Sequence, residues 1–284
     1  MGTSTSCTGG KAGSPFDPEW LAGDPDEHTS AEEDGADDNA QVAGEAGDEP
    51  SNGGTTENDE APDVPQVAPN RRFAPARAKM AGYLAGGGRD ALRGAARSMI
   101  NKGMGGPRRA ASTMRRTAQG AGQLGQFLAA ARDGVDAKVR DWVEHVRAAG
   151  LSANDLVLEL VKEVIPDTGS VDDESLRNAA AEALGKLYEN DPDIDIFDLT
   201  DQQISDAIGY TISSEVCNRL DLQLGQTYER LKYSPKEIQY YRNDIKEWVN
   251  EEVRTIMEQY RTVQLHPQRL AREVLTSALR VFAE

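Results

Sequence analysis

The chain begins Met-Gly-Thr-Ser-Thr-Ser. A small residue after the initiator methionine permits its removal, which leaves the α-amine of Gly2. An α-amine has a pKa of about 7.7–8.0, against about 10.4 for lysine. Near neutral pH about a tenth of it is neutral and nucleophilic, so Gly2 is a candidate acceptor for amide formation. The same six residues match the pattern for N-myristoylation. That reading lacks its second membrane signal, because Lys11 is the one base before a strongly acidic stretch.

Other reactive residue types are sparse. His28, His145 and His266 are far apart, and none has a second ligand at helical spacing. The run Asp191, Asp193, Asp195, Asp198 and Asp201 resembles a calcium loop. Counted from Asp191, however, the sixth and twelfth positions are Ile196 and Gln202, where an EF-hand requires glycine and glutamate. Cys7 and Cys217 are too few and too distant for a disulfide scaffold or a cysteine-rich zinc site. Cys217 falls on an apolar helical stripe beside Val216 and Leu220, as a buried thiol does. Gly86 to Arg89 is glycine-rich but has neither the preceding strand nor the lysine of a phosphate loop. The expectation is a protein that is not an enzyme, with no catalytic residue, no metal and no cofactor.

The elements that must present Gly2 fall into three charge regimes. Residues 1–70 hold 17 acidic residues and one base. Residues 71–131 hold 12 bases and one acid, Asp90. Residues 132–284 hold 18 bases and 30 acids. The first regime has too few large apolar side chains to offset the entropy of ordering, and reads as a disordered acidic tail. The second, rich in Ala, Gly and Arg, carries Met80, Leu84, Leu92, Met99 and Ile100 at broken helical spacing. It reads as a basic, partly helical linker that needs a partner surface. The third carries six apolar stripes at helical period, from Val135 to Phe282. Ser234-Pro-Lys-Glu237 and Thr200-Asp-Gln-Gln203 are capping boxes, and Ser152 and Ser170 are candidate caps. The expected fold is all-α, with the acidic C-terminal domain of bundle-like or orthogonal packing. Without a spanning segment or a secretory leader, the expected location is cytoplasmic.

The start of the tail differs from its acidic spacer. Its first ten residues are uncharged, and Ser14-Pro-Phe-Asp-Pro-Glu-Trp-Leu21 adds two prolines and two aromatics. This is a short recognition element on a tether. Met1-Gly-Thr-Ser-Thr-Ser, Gly9-Gly10, Ser14-Pro15-Phe16, Pro18 and Trp20 together resemble the start of the QatB proteins of the bacterial Qat anti-phage defence system. The layout of acidic spacer, Gly/Ala/Arg-rich middle and acidic helical domain is similar to that family's as well. The resemblance implies three partners: a QatA-like ATPase, a QueC-like enzyme (QatC) and a TatD-like nuclease. QueC enzymes activate a 7-deazaguanine carboxylate with ATP and join it to ammonia. A relative acting on a protein amine would place a deazaguanine-type group on Gly2. Thr3, Ser4, Thr5 and Ser6 would thread into its site, and Phe16 and Trp20 would dock outside. The helical domain would be the platform for the ATPase.

A second reading rests on the basic regime alone. Arg71, Arg72, Arg108, Arg109, Arg115 and Arg116 form three pairs suited to phosphate, which makes a nucleic-acid-binding accessory protein the alternative. Stacking aromatics are few there, namely Phe73, Tyr83 and Phe127. The glycine-broken apolar face between Met80 and Ile100 is poor material for a membrane helix.

Overall fold

A computed structural model describes residues 71–261 and 266–284. The expectations on residues 1–70, including Gly2, Thr3, Ser4, Thr5, Ser6, Phe16, Trp20 and the disordered tail, lie outside the described residues. Among the described residues every regular element is helical. The chain enters α1 (Ala74–Gly82), passes a π-type turn (Tyr83–Gly87) into α2 (Gly88–Ser98), and leaves by a second π-type turn (Met99–Gly103). Then come α3 (Pro107–Thr113), α4 (Arg115–Asp133), α5 (Ala137–Ala149) and α6 (Ala153–Val164). α7 (Val171–Asn190), α8 (Asp201–Leu224), the short α9 (Gln226–Arg230), α10 (Pro235–Tyr260) and α11 (Pro267–Val281) complete it.

The helix starts follow local chemistry. Thr200 and Ser234 form both expected capping boxes, each hydroxyl accepting from the backbone N–H three residues on while that residue's side chain accepts from the cap N–H. Ser152 caps α6. Ser170 does not cap α7 with its side chain. The carboxylate of Asp173, three residues on, is turned instead to the Thr168 hydroxyl and the Arg116 guanidinium. The aspartate-rich loop before α8 spends its carboxylates on turns and ion pairs. Asp195 accepts from the Phe197 N–H at 2.9 Å and pairs with Arg147 at 2.6 Å, while Asp201 pairs with Arg132 at 2.6 Å. That loop also buries Ile196, Phe197 and Leu199, which carried no helical pattern in the sequence.

The packing corrects the expected division of the chain. No seam falls at 131/132, because α4 runs through that point and packs against α7, α8 and α11. Met80, Leu92, Ile100 and Met114 of the basic regime share one core with Leu184, Ile208, Val249 and Val274 of the acidic one. Each such side chain is worth about 1.5–3 kcal/mol when fully buried, enough to hold a helical pair that is marginal alone. The partner surface for residues 71–131 is thus the rest of the chain.

Small residues explain how α4 comes to the centre. A Cβ on Gly120 would lie 2.3 Å from Leu176 Cδ2, and one on Gly125 would lie 2.5 Å from Ile208 Cδ1. On Gly122 it would meet the Gln268 Cα at 2.7 Å. α7, α8 and α11 therefore approach α4 through its missing side chains. Low hydrophobicity here marks close helix contact, not a linker.

The glycine triplet shapes the turn between α1 and α2. Gly86 (φ 95) and Gly88 (φ 66) take left-handed backbone that other residues enter at a cost. The Leu84 carbonyl lies in this turn. Tyr233 and Tyr241 both donate their hydroxyls to it, at 2.7 and 3.0 Å.

Candidate functional site

Several places on this frame gather polar side chains around a hollow. The first is a cleft of about 350 Å³ between α7, α8 and α10, floored by Met80 and Leu92 from α1 and α2. Its charges meet in pairs. Arg242 grips Asp221 with two bonds of 3.0 and 2.7 Å. Lys246 contacts Glu182, which also accepts from the Ser214 hydroxyl. Burial draws the Lys246 ammonium below its ordinary range. Cys217 lines the same cleft, and burial first and the Asp221 charge second push its thiol up to about 12. Such a thiol stays protonated at neutral pH and is a poor nucleophile. The cleft ties three helices by compensated charge.

The second place is a groove of about 650 Å³ where α3 and α4 meet α11. Arg115 and Arg272 face it with Gln119, Gln123 and Gln268, and no carboxylate lines it. Arg108 and Arg109 stand exposed on the first turn of α3 nearby in the chain. The third is a groove between α1 and α9 that includes Arg71.

The three arginine pairs of the sequence are therefore divided among different tasks. Arg72 lies over the Phe73 ring, 4.9 Å from its centroid, while its neighbour Arg71 faces α9. Arg116 turns away from Arg115 to Asp173, and that guanidinium, with the Thr168 hydroxyl, holds the Asp173 carboxyl below its ordinary range. Arg89 pairs with Glu251 at 2.7 Å and Arg93 with Glu252 at 3.3 Å, so the acidic α10 neutralises part of the basic α2. The opposite charge regimes of the sequence are thus two faces of one internal interface. Sequence reasoning missed Arg77, Arg230 and Arg272, which complete the two grooves. Their partners come from helices remote in the chain, and no spacing rule links them. Among the described residues no group of three or more His, Cys, Asp or Glu side chains is placed to hold a metal ion, and His145 is exposed on α5.

A family model described as Qat anti-phage system associated protein QatB matches residues 105–282. The chain belongs to the QatB family. No curated protein and no solved structure matches it. Membership makes this QatB-family chain a component of the Qat anti-phage system, with other Qat components as its partners. The matched stretch opens at the Gly105-Gly106-Pro107 break and runs through α3 to α11. α1 and α2 lie outside it, yet they are buried in the same core. The QatB match covers the groove formed by Arg115 and Arg272 and the cleft's α7, α8 and α10 walls, but only the α9 side of the third groove. No helix among the described residues is long and apolar enough to cross a membrane.

Proposed function

We propose that this chain is a non-enzymatic scaffold of the Qat system, whose helical unit holds a partner ATPase and whose N-terminal segment is a substrate. After loss of Met1, the α-amine of Gly2 receives a deazaguanine-type group through an amide bond, made by a QueC-like partner enzyme. The single observation that carries this reading is the uncharged Met-Gly-Thr-Ser-Thr-Ser lead on a chain of the QatB family. Its α-amine is neutral at physiological pH in a far larger fraction than any ordinary lysine's. Thr3, Ser4, Thr5 and Ser6 are small enough to enter a narrow site, and Phe16 and Trp20 are anchors beyond it. The carboxylate is activated by ATP on the partner. The amine then displaces the activating group, forms the C–N bond and releases its proton to solvent.

The internal pairing in the cleft supports a scaffold, because its Lys, Arg, Ser and carboxylate groups are committed to one another. The test is intact and N-terminal peptide mass of the protein purified with its neighbouring gene products. A Gly2 adduct of deazaguanine size that disappears when Gly2 is replaced by proline supports the reading. A chain that is merely trimmed of methionine in the presence of active partners overturns it. Direct nucleic-acid binding through Arg108, Arg109 and Arg115 is the second reading, favoured by the carboxylate-free groove they approach with Arg272. Its test is salt-dependent DNA binding that is lost in Arg115→Gln.

A further inference from the structure

The groove between α1 and α9 has features that neither the scaffold nor the tail reading uses. It is a shallow, half-open groove of about 1190 Å³. Arg71, Arg77 and Arg230 line it with Thr227 and the single carboxylate of Glu229. Among the described residues none of the three guanidiniums is in an ion pair. Arg77 is held in place, because its Nε donates to the Gln223 carbonyl at 2.9 Å at the end of α8. That bond leaves its two terminal nitrogens for something else. Alanines 74, 78 and 81 keep the α1 wall low, so the groove is concave where a longer side chain would fill it.

Three observations set this groove apart from the rest of the surface. Thr227 is 4% exposed, and its hydroxyl is the one buried side-chain oxygen or nitrogen among the described residues with no hydrogen-bond partner. A buried polar group left in that state is costly and calls for an explanation. Next, the two non-glycine residues with left-handed backbone among the described residues are Arg71 (φ 65) and Lys232 (φ 58). Arg71 lines the groove, and Lys232 follows its lining residue Leu231. Strained backbone of this kind gathers where a ligand is clamped. Finally, the N-terminus of α1 beside Arg71 has no side-chain cap and no acidic residue in its first turn. Among the described residues nothing compensates the positive end of that helix dipole.

We infer that this groove binds the phosphate groups of a nucleotide. Three planar guanidinium forks offer more N–H donors than one carboxylate can accept, and they match the oxygens of a phosphate chain. The hollow is larger than inorganic phosphate needs and suits a nucleotide-sized molecule. Glu229 decides between a nucleotide and a nucleic-acid strand. A carboxylate in the wall accepts a ribose hydroxyl or a base amine, but it repels a phosphate backbone lying along the groove. The binding is reversible and involves no bond made or broken. It does not depend on modification of Gly2, and its failure leaves that reading in place.

The test uses the full-length protein in calorimetric titrations with ATP, inorganic phosphate and a short DNA duplex. Arg230→Gln, Arg77→Gln, Thr227→Val and the control Arg140→Gln are compared with the wild type, after circular dichroism has shown each to be folded. Arg230 is exposed, so its variant remains informative where Arg77→Gln loses the α8 contact and misfolds. The expected result is ATP binding that weakens at least tenfold in Arg230→Gln and severalfold in Thr227→Val, with phosphate binding more weakly. Arg140→Gln, an exposed arginine of α5, binds as the wild type. Absence of ATP binding at millimolar concentration overturns the inference. So does ATP binding that Arg230→Gln leaves unchanged, or a loss equally large in Arg140→Gln. Preferential binding of the duplex, lost in Arg230→Gln, overturns it in favour of a nucleic-acid site.

Discussion

Replacing Gly122 by alanine tests whether α4 owes its central place to its missing side chains. In an ordinary helix interior the change from glycine to alanine gains about 0.8–1.0 kcal/mol, because glycine loses more backbone entropy on folding. At Gly122 the new Cβ falls 2.7 Å from the Gln268 Cα, a backbone atom of α11 that cannot rotate away. Inserting a methyl group into packed structure typically costs about 1–3 kcal/mol. The net effect is a loss of roughly 1 kcal/mol. Gly185 in the middle of α7 is the control, because a Cβ there meets nothing within 4 Å. Gly185→Ala keeps the full propensity gain. The two variants should differ by roughly 2 kcal/mol, which for a helical unit of about 200 residues separates their melting temperatures by about 4–8 °C. Thermal unfolding of both, followed by helical circular dichroism, reads this directly. If Gly122→Ala melts as high as Gly185→Ala, the close approach of α4 and α11 is not what the glycine serves, and the account of the centre of the fold is wrong.

Three further outcomes follow from single residues. Thr200→Ala removes the hydroxyl half of the capping box on α8, leaving the Gln203 side chain on the backbone N–H of residue 200, and should cost about 0.5–2 kcal/mol in urea unfolding, with an unchanged slope. Burial raises the Glu215 carboxyl, outweighing its 2.6 Å bond from the Ser175 hydroxyl and the charge of Arg219. The folded state then holds this proton more tightly than the unfolded chain. Stability from this group therefore falls as pH rises from about 4.3 through the raised folded value. Glu215→Gln should accordingly melt above the wild type at pH 7, with the gap closing near pH 4; a gap independent of pH would refute the assignment. In a Cys7→Ser background, the Cys217 thiol, pushed up to about 12, should be alkylated by iodoacetamide at pH 8 only in denaturant, since about one in ten thousand molecules carries the thiolate. Rapid labelling of the native protein would show that the cleft opens or that its burial is overstated.

The sequence was legible wherever function of a residue depends on its neighbours in the chain. The stripe Ile245, Trp248, Val249, Val253 and Ile256 is buried along α10, as its helical period requires. The boxes at Thr200 and Ser234 begin α8 and α10, because a cap needs only the next three residues. The short α9 and the buried loop residues Ile196, Phe197 and Leu199 were not legible, since neither is long enough to show a period. Site residues divide the same way. Arg115 and Arg116 are adjacent in sequence, but a helix turns adjacent residues about 100° apart, so one faces α11 and the other Asp173.

The sequence by itself determined the all-α class, the main helix boundaries, the three charge regimes and the chemical character of Gly2, because these rest on composition and on spacing of a few residues. Only the tertiary structure decided that residues 71–131 belong to the core. The reason is that an Ala/Gly-rich helix reads as weakly apolar until other helices are seen to use its small residues as a surface for close contact. It decided equally which arginines are spent. Arg89, Arg93 and Arg116 lie against carboxylates of α7 and α10, whereas Arg71, Arg77 and Arg230 converge on one groove. Coulomb energy depends on distance through space, and the chain sets that distance only after its helices have packed.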